Sequence, residues 1–266
     1  MNALLDHAVM EPVKIPAMDL SGMPEAFQRA YGPTKPFENE FGDLTMPGVT
    51  PIPYQGNRKI NPRSRGACRI FATWLDSVAH IPRIYGFDSQ VEYHHGALTL
   101  INPSVAQVQE QFGPIPFTGD DGRPANHFID LLITQHDGRR VAVAVKPTER
   151  LKSGRFLREL NALEKTMPSG TADELVLVTE NCFSRADAFN AVMYHRFALC
   201  PDPAVDQRLH DVLSTVPGDI SICDLAKLCR AGGRAFRVIV RAIFEGSLLK
   251  LSTGRISPFT VVRRLE

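Results

Sequence analysis

Nothing in this sequence reads as a disulfide framework, a zinc ribbon or a membrane span. The five cysteines, Cys68, Cys182, Cys200, Cys223 and Cys229, are scattered, and none forms a Cys-x-x-Cys pair. Structural zinc is therefore not expected. An odd, dispersed set fits reduced thiols in a cytoplasm. No stretch approaches the ~18 consecutive apolar residues needed to cross a bilayer, so no membrane partner is expected. The opening residues, MNALLDHAVMEPVKIP, place an acid early and lack a basic start before an apolar core, so no secretory leader is expected. No internal repeat or low-complexity segment is evident. Net charge is also scarce: +1 over 266 residues, which excludes a polycation.

The charge that is present is unevenly placed. From Ser221 to Glu266 there are nine Lys/Arg against three Asp/Glu. Between Arg58 and Arg83 there are six (Arg58, Lys59, Arg63, Arg65, Arg69, Arg83) against Asp76 alone. Basic patches on a neutral chain suit docking on a polyanion such as DNA, and they also suit a plain solvated surface. Residues 1 to about 60 are rich in Pro, Gly and Asn and show little periodicity, which reads as an extended arm. Residues 66–80 read as a short helix or strand burying Ile70, Phe71, Trp74 and Leu75.

Asp88 or Ser89 can cap a helix, Glu92 sits three residues after Ser89 at capping-box spacing, and the helix stops at Asn102-Pro103. An alternating strand starts at Val105. Two apolar runs then flank a turn at Asp137-Gly138, in HFIDLLITQHDGRRVAVAVK, residues 127–146. A helix over 153–166 carries Phe156, Leu157, Leu160 and Leu163 on one face. A buried strand over 174–179 and a helix over 184–199 capped by Ser184 follow. This order predicts an α/β core with a mixed sheet. After Pro201-Asp202-Pro203 come helices over 204–214, 222–229 and 234–245, then two short strands around Thr253-Gly254. That is a winged-helix pattern. Its third helix sets Arg234, Arg237 and Arg241 along one face, as a recognition helix would. A small helical bundle that docks a protein partner would share the pattern.

The chemistry is concentrated in the 127–146 hairpin. Asp130 lies within one apolar strand, and Lys146 ends the next. A charge at the edge of a buried strand is costly unless paired or bound to metal. Phosphodiester hydrolysis needs an activated water and neutralised phosphate charge. Carboxylates holding Mg²⁺ provide both, and a neighbouring lysine stabilises developing charge. Asp130 and Lys146 with the helical acid Glu92 could supply these parts. A surface ion pair on a hairpin would look similar.

Order and spacing narrow the possibilities. SxxE at 89–92, QEQ at 109–111, HFID at 127–130 and AVKP at 144–147 follow one another over about 87–180. This series resembles the TnsA endonuclease subunit of heteromeric transposases, within the PD-(D/E)XK restriction-endonuclease-like superfamily. The resemblance implies three parts: an N-terminal arm and accessory segment (1–86), a nuclease-like core (87–200) of mixed sheet flanked by helices, and a C-terminal winged-helix-like α domain (201–266). It implies catalytic Glu92, Asp130 and Lys146, with Mg²⁺ (replaceable by Mn²⁺) held by Glu92, Asp130 and the backbone carbonyl of Val145. Arg150, Lys152, Arg155, Arg234, Arg237 and Arg241 would contact DNA. The implied function is metal-dependent cutting of double-stranded DNA at transposon ends. The implied partners are a DDE transposase subunit and an AAA+ regulator ATPase, in a bacterial, nucleoid-associated setting. Three positions depart from the pattern: Phe112 and Ile129 where proline is usual, and Ala144 where a Gln or Glu is usual. A methyl group neither ligates metal nor hydrogen-bonds water, although Glu149 lies close enough in sequence to reach in. The departure keeps open a catalytically inactive DNA-binding or assembly protein on the same fold. A phage or plasmid nuclease outside transposition is a third possibility. His94, His95, His127 and Glu110 are further polar residues near the motifs, and Trp74 reads as core.

Overall fold

The computed structural model describes residues 49–60, 68–119 and 121–265. Most of the predicted arm, with Arg63 and Arg65 of the basic stretch, lies outside the described residues. Two strands, β1 (Ile70–Leu75) and β2 (Pro82–Phe87), form an antiparallel ribbon. The helix α1 (Gln90–Leu100) follows, with Ser89 as N-cap. The strands β3 (Val105–Thr118), β4 (Pro124–Gln135), β5 (Arg140–Val145) and β6 (Glu174–Val178) make a mixed sheet in the order β3-β4-β5-β6. The first two pairings are antiparallel and β5-β6 is parallel. That parallel pairing requires a crossover, which the short α2 (Thr148–Leu151) and α3 (Arg155–Thr166) supply.

The helix α4 (Arg185–Ala198) leads into a C-terminal group of α5 (Pro203–Leu213), β7 (Asp219–Ser221), α6 (Ile222–Cys229), α7 (Gly233–Phe244), β8 (Leu248–Lys250) and β9 (Val261–Arg264). Its strands form a small sheet ordered β7-β9-β8. The strand β7 is an element that the sequence pattern did not suggest.

Apolar side chains fill both faces of the four-stranded sheet. On one face Leu131, Ile133, Val143 and Val145 pack with Trp74, Tyr85, Phe87 and Ala97, so the β1-β2 ribbon shares the core of the sheet. On the other, Ile129, Leu132, Ala142 and Ala144 pack against Leu160 and Leu163 of α3. The C-terminal group has a third core around Leu225, Val238, Ile239 and Val262. The α4 side chain Asn190 donates to the Gly254 carbonyl at 3.1 Å and accepts from Ile256 N at 2.8 Å, tying that group to α4.

Three expectations about burial fail. Leu157, expected on one face of α3 with Phe156, Leu160 and Leu163, is 40% exposed. Phe71 is 57% exposed because β1 belongs to a ribbon with one open face, whereas Trp74 on that strand is 1% exposed. The β6 strand is half-buried rather than buried, with Val178 its one buried residue, because it forms the edge of the sheet. Among the described residues, no helix is long and apolar enough to cross a membrane.

Candidate functional site

The N-terminus of α1 delivers Glu92. Ser89 Oγ accepts from Glu92 N at 3.2 Å, as the capping spacing predicts. The return bond of the box reaches one residue further back: Glu92 Oε2 accepts from Asp88 N at 2.9 Å. The Glu92 side chain is thereby held inward, and the residue is 6% exposed.

The sheet delivers the other acid. Asp130, on β4, accepts from Val145 N through Oδ2 at 2.7 Å. Between the two acids stands Gln111 of β3. Its Nε2 lies 3.3 Å from Glu92 Oε2 and 3.4 Å from Asp130 Oδ1. Its Oε1 accepts from Arg58, with Nε at 2.9 Å and Nη2 also in contact. Arg58 is further paired with Asp88 at 2.5 Å. Gln111 is 1% exposed and has φ +50, a left-handed conformation that costs a non-glycine residue roughly 1–3 kcal/mol. It lies just before a register shift between Phe112 and Ile115. There Gly113 brings the chain so near β4 that an added Cβ would meet the His127 carbonyl at 2.8 Å.

Burial pushes the Glu92 carboxyl well above the ordinary carboxylate range, and the charge of Asp130 adds to the shift. Burial also raises Asp130, opposed by the Val145 hydrogen bond and by the charges of Lys146 and His127. Two enclosed carboxylates share one neutral bridge, an arrangement that takes up either a proton or a cation.

A cleft of about 460 Å³ opens beside Asp130. Four cations line it: Arg58, Lys146, Arg150 and Arg155. The Lys146 ammonium rests 4.4 Å from the centroid of the Phe156 ring. His127 lines the same cleft, and its Nδ1 lies 2.8 Å from Glu159 Oε1 on α3.

Asp130, Lys146, Arg150 and Arg155 thus meet at one opening, and Glu92 reaches Asp130 from behind through Gln111. Lys152 is turned to Glu149 at 2.5 Å, with both side chains well exposed. Glu149 therefore does not enter the site in place of Ala144, which is fully buried on the α3 face of the sheet. His94 and His95 lie against Phe183 on the α4 side. Glu110, on the edge strand β3, is fully buried and paired with Arg83 at 2.5 Å.

The α7 arginines do not form a free stripe. Arg234 makes a bidentate pair with Asp202, at 2.7 Å for both bonds. Arg241 is buried and paired with Asp206. Arg237 is half-buried, and its charge also acts on Asp202.

Sequence reasoning passed over Arg58 and Gln111 as site residues. In the sequence Arg58 is part of a basic stretch and Gln111 part of the QEQ motif. The available signal was register: Gln111 falls opposite Asp130 once the two strands are paired. No protein-family model matches this chain, and a search of curated proteins finds no match.

Proposed function

We propose that this chain is a divalent-metal-dependent DNA endonuclease similar to TnsA, with a restriction-endonuclease-like core and a winged-helix-like C-terminal domain. One observation carries the reading. Two carboxylates from distant parts of the chain, Glu92 and Asp130, meet through one buried amide, and Asp130 stands at the wall of a cleft lined by four cations, Lys146 among them. The donors fit the ion: carboxylates held together against their own repulsion suit a hard, oxygen-seeking cation such as Mg²⁺, which keeps several waters. Glu92, Asp130 and the Val145 carbonyl would hold it, and bound there it would polarise the scissile phosphate and lower the pKa of a water.

The chain's own residues do the rest. Lys146 offers a positive charge to the phosphate oxygens as negative charge develops. Its seat on Phe156 keeps the ammonium on the cleft wall. Arg150 and Arg155 offer further charge to the flanking backbone, where contacts position the duplex without reading sequence. Cutting at transposon ends, together with a DDE transposase and an AAA+ regulator, belongs to the same proposal and rests on the motif series.

Purified protein with Mg²⁺, DNA ends and the partner transposase should nick the duplex, and Asp130→Ala should abolish nicking. Nicking that persists in Asp130→Ala would sink the assignment. A second reading, a non-catalytic DNA-binding or assembly protein, draws on Ala144, whose buried methyl group leaves the usual Gln or Glu position without a donor. Wild-type protein that binds duplex DNA but does not nick it under those conditions would favour that reading.

A further inference from the structure

We propose that Gln111 is the third oxygen-donor residue of the Glu92–Asp130 site, taking from β3 the role that Ala144 cannot fill from β5. The inference rests on the reading of those carboxylates as a divalent-cation site.

Strand register carries it first. Leu131 pairs with Glu110 on one side and with Val143 on the other. One residue earlier, Asp130 is therefore flanked by Gln111 on β3 and Ala144 on β5. The β5 neighbour is a methyl group packed with Ala142 and Leu163. The β3 neighbour is a buried amide, and it is the one side chain among the described residues that hydrogen-bonds to both carboxylates.

The backbone adds a second observation. Gln111 holds φ +50, which bulky residues seldom adopt unless their surroundings impose it. Here the surroundings are Arg58 at its carbonyl end and the two acids at its amino end.

The chemistry of the group completes the case. A carboxamide carries a donor end and an acceptor end, and its terminal torsion is two-fold and soft. With no cation between the acids, its NH₂ group bridges them and offsets their repulsion. After a half-turn the same residue presents Oε1, an oxygen ligand of the kind Mg²⁺ and Mn²⁺ accept. Arg58 fixes the first orientation and retains Asp88 as partner when the amide turns. Neither a carboxylate nor an apolar side chain at this position could serve both situations.

The experiment is calorimetric titration of Mn²⁺ into the full chain without DNA, with circular dichroism and thermal melts to confirm folding. Wild type should bind Mn²⁺, and Asp130→Asn should not. Gln111→Met, close in volume but without the amide, should stay folded and bind at least tenfold more weakly. Gln111→Glu, which adds a third carboxylate, should bind at least fivefold more tightly while melting at lower temperature without metal. A purely structural glutamine would not give that opposite pair of shifts. Wild-type affinity in folded Gln111→Met would overturn the role of Gln111 and leave the Glu92–Asp130 site standing. If Gln111→Met does not fold, Gln111→Glu decides, and unchanged or weaker binding overturns the proposal. Wild type that binds no Mn²⁺ would overturn the cation site itself and this inference with it.

Discussion

Arg83 is a buried charge held between two acids near the site. It is 3% exposed, and its guanidinium lies between Asp76 at 3.1 Å and Glu110 at 2.5 Å. It also sits over the Tyr85 ring at 4.4 Å. Burial raises the Glu110 carboxyl above its ordinary range, and Arg83 opposes that shift. Removing one partner of a buried ion pair leaves an uncompensated charge, worth about 3–5 kcal/mol; here two acids would be left. Arg83→Met should therefore lose at least about 3 kcal/mol in urea denaturation, and a loss below about 1 kcal/mol would show a pair screened like a surface one. Glu110 precedes Gln111, so the triad also fixes the backbone from which the bridging amide projects. In the sequence Arg83 is one more member of a basic stretch, and Glu110 is one more polar residue near the motifs. Their pairing spans 27 residues, a separation that local periodicity does not encode.

At the scale of the element, α7 shows what an amphipathic pattern leaves undecided. The spacing of Arg234, Arg237 and Arg241 identifies one polar face correctly, and the helix ends fall within a residue of those expected. The pattern does not say what the face meets. Asp202, the N-cap of α5, and Asp206 within it take Arg234 and Arg241, so the polar side of α7 largely meets α5. Arg237 is the member left for an outside anion. If α7 meets DNA, Arg237→Ala should weaken duplex binding without lowering the melting temperature, and should reduce the slope of log affinity against log salt by about 1. Arg234→Ala and Arg241→Ala should instead lower the melting temperature. A salt slope unchanged in Arg237→Ala would remove α7 from the DNA interface. The helix α1 was more legible, because its capping bonds are local and Ser89 and Glu92 are sufficient to specify them.

Over the whole molecule, α4 is the joint. It packs on the sheet layer through His195, whose ring stacks on Trp74 at 4.6 Å and whose Nε2 hydrogen-bonds to the Ala97 carbonyl at 2.9 Å. Through Asn190 it reaches the C-terminal group. Burial depresses His195 to about 4 and His95 to about 4. Both are then neutral in the folded chain where the unfolded chain takes up protons. Their contribution to stability is full above pH ~6.5 and is lost as pH falls from there toward 4. Between pH 6.5 and 5 the loss should be about 2 kcal/mol per histidine. His195→Phe should flatten that part of the stability–pH curve, as followed by denaturant titration at each pH. An equally steep curve in His195→Phe would show that other groups set the acid sensitivity.

The sequence by itself determined most of the elements, though not β2 or β7, because caps, turn residues and apolar periods act over a few positions. It also determined the order in which Glu92, Asp130 and Lys146 occur along the chain. Only the tertiary structure decided what stands between them. Strand register sets Gln111 and Ala144 on either side of Asp130. The segment before β1 brings Arg58 over the Gln111 amide, and α5 claims the arginines of α7. The Arg58 and α5–α7 pairings join residues 30 or more apart in sequence, and the register joins residues 14 to 19 apart. They are selected by the burial of polar groups that must find partners once water is excluded, and that requirement exists only in the assembled core.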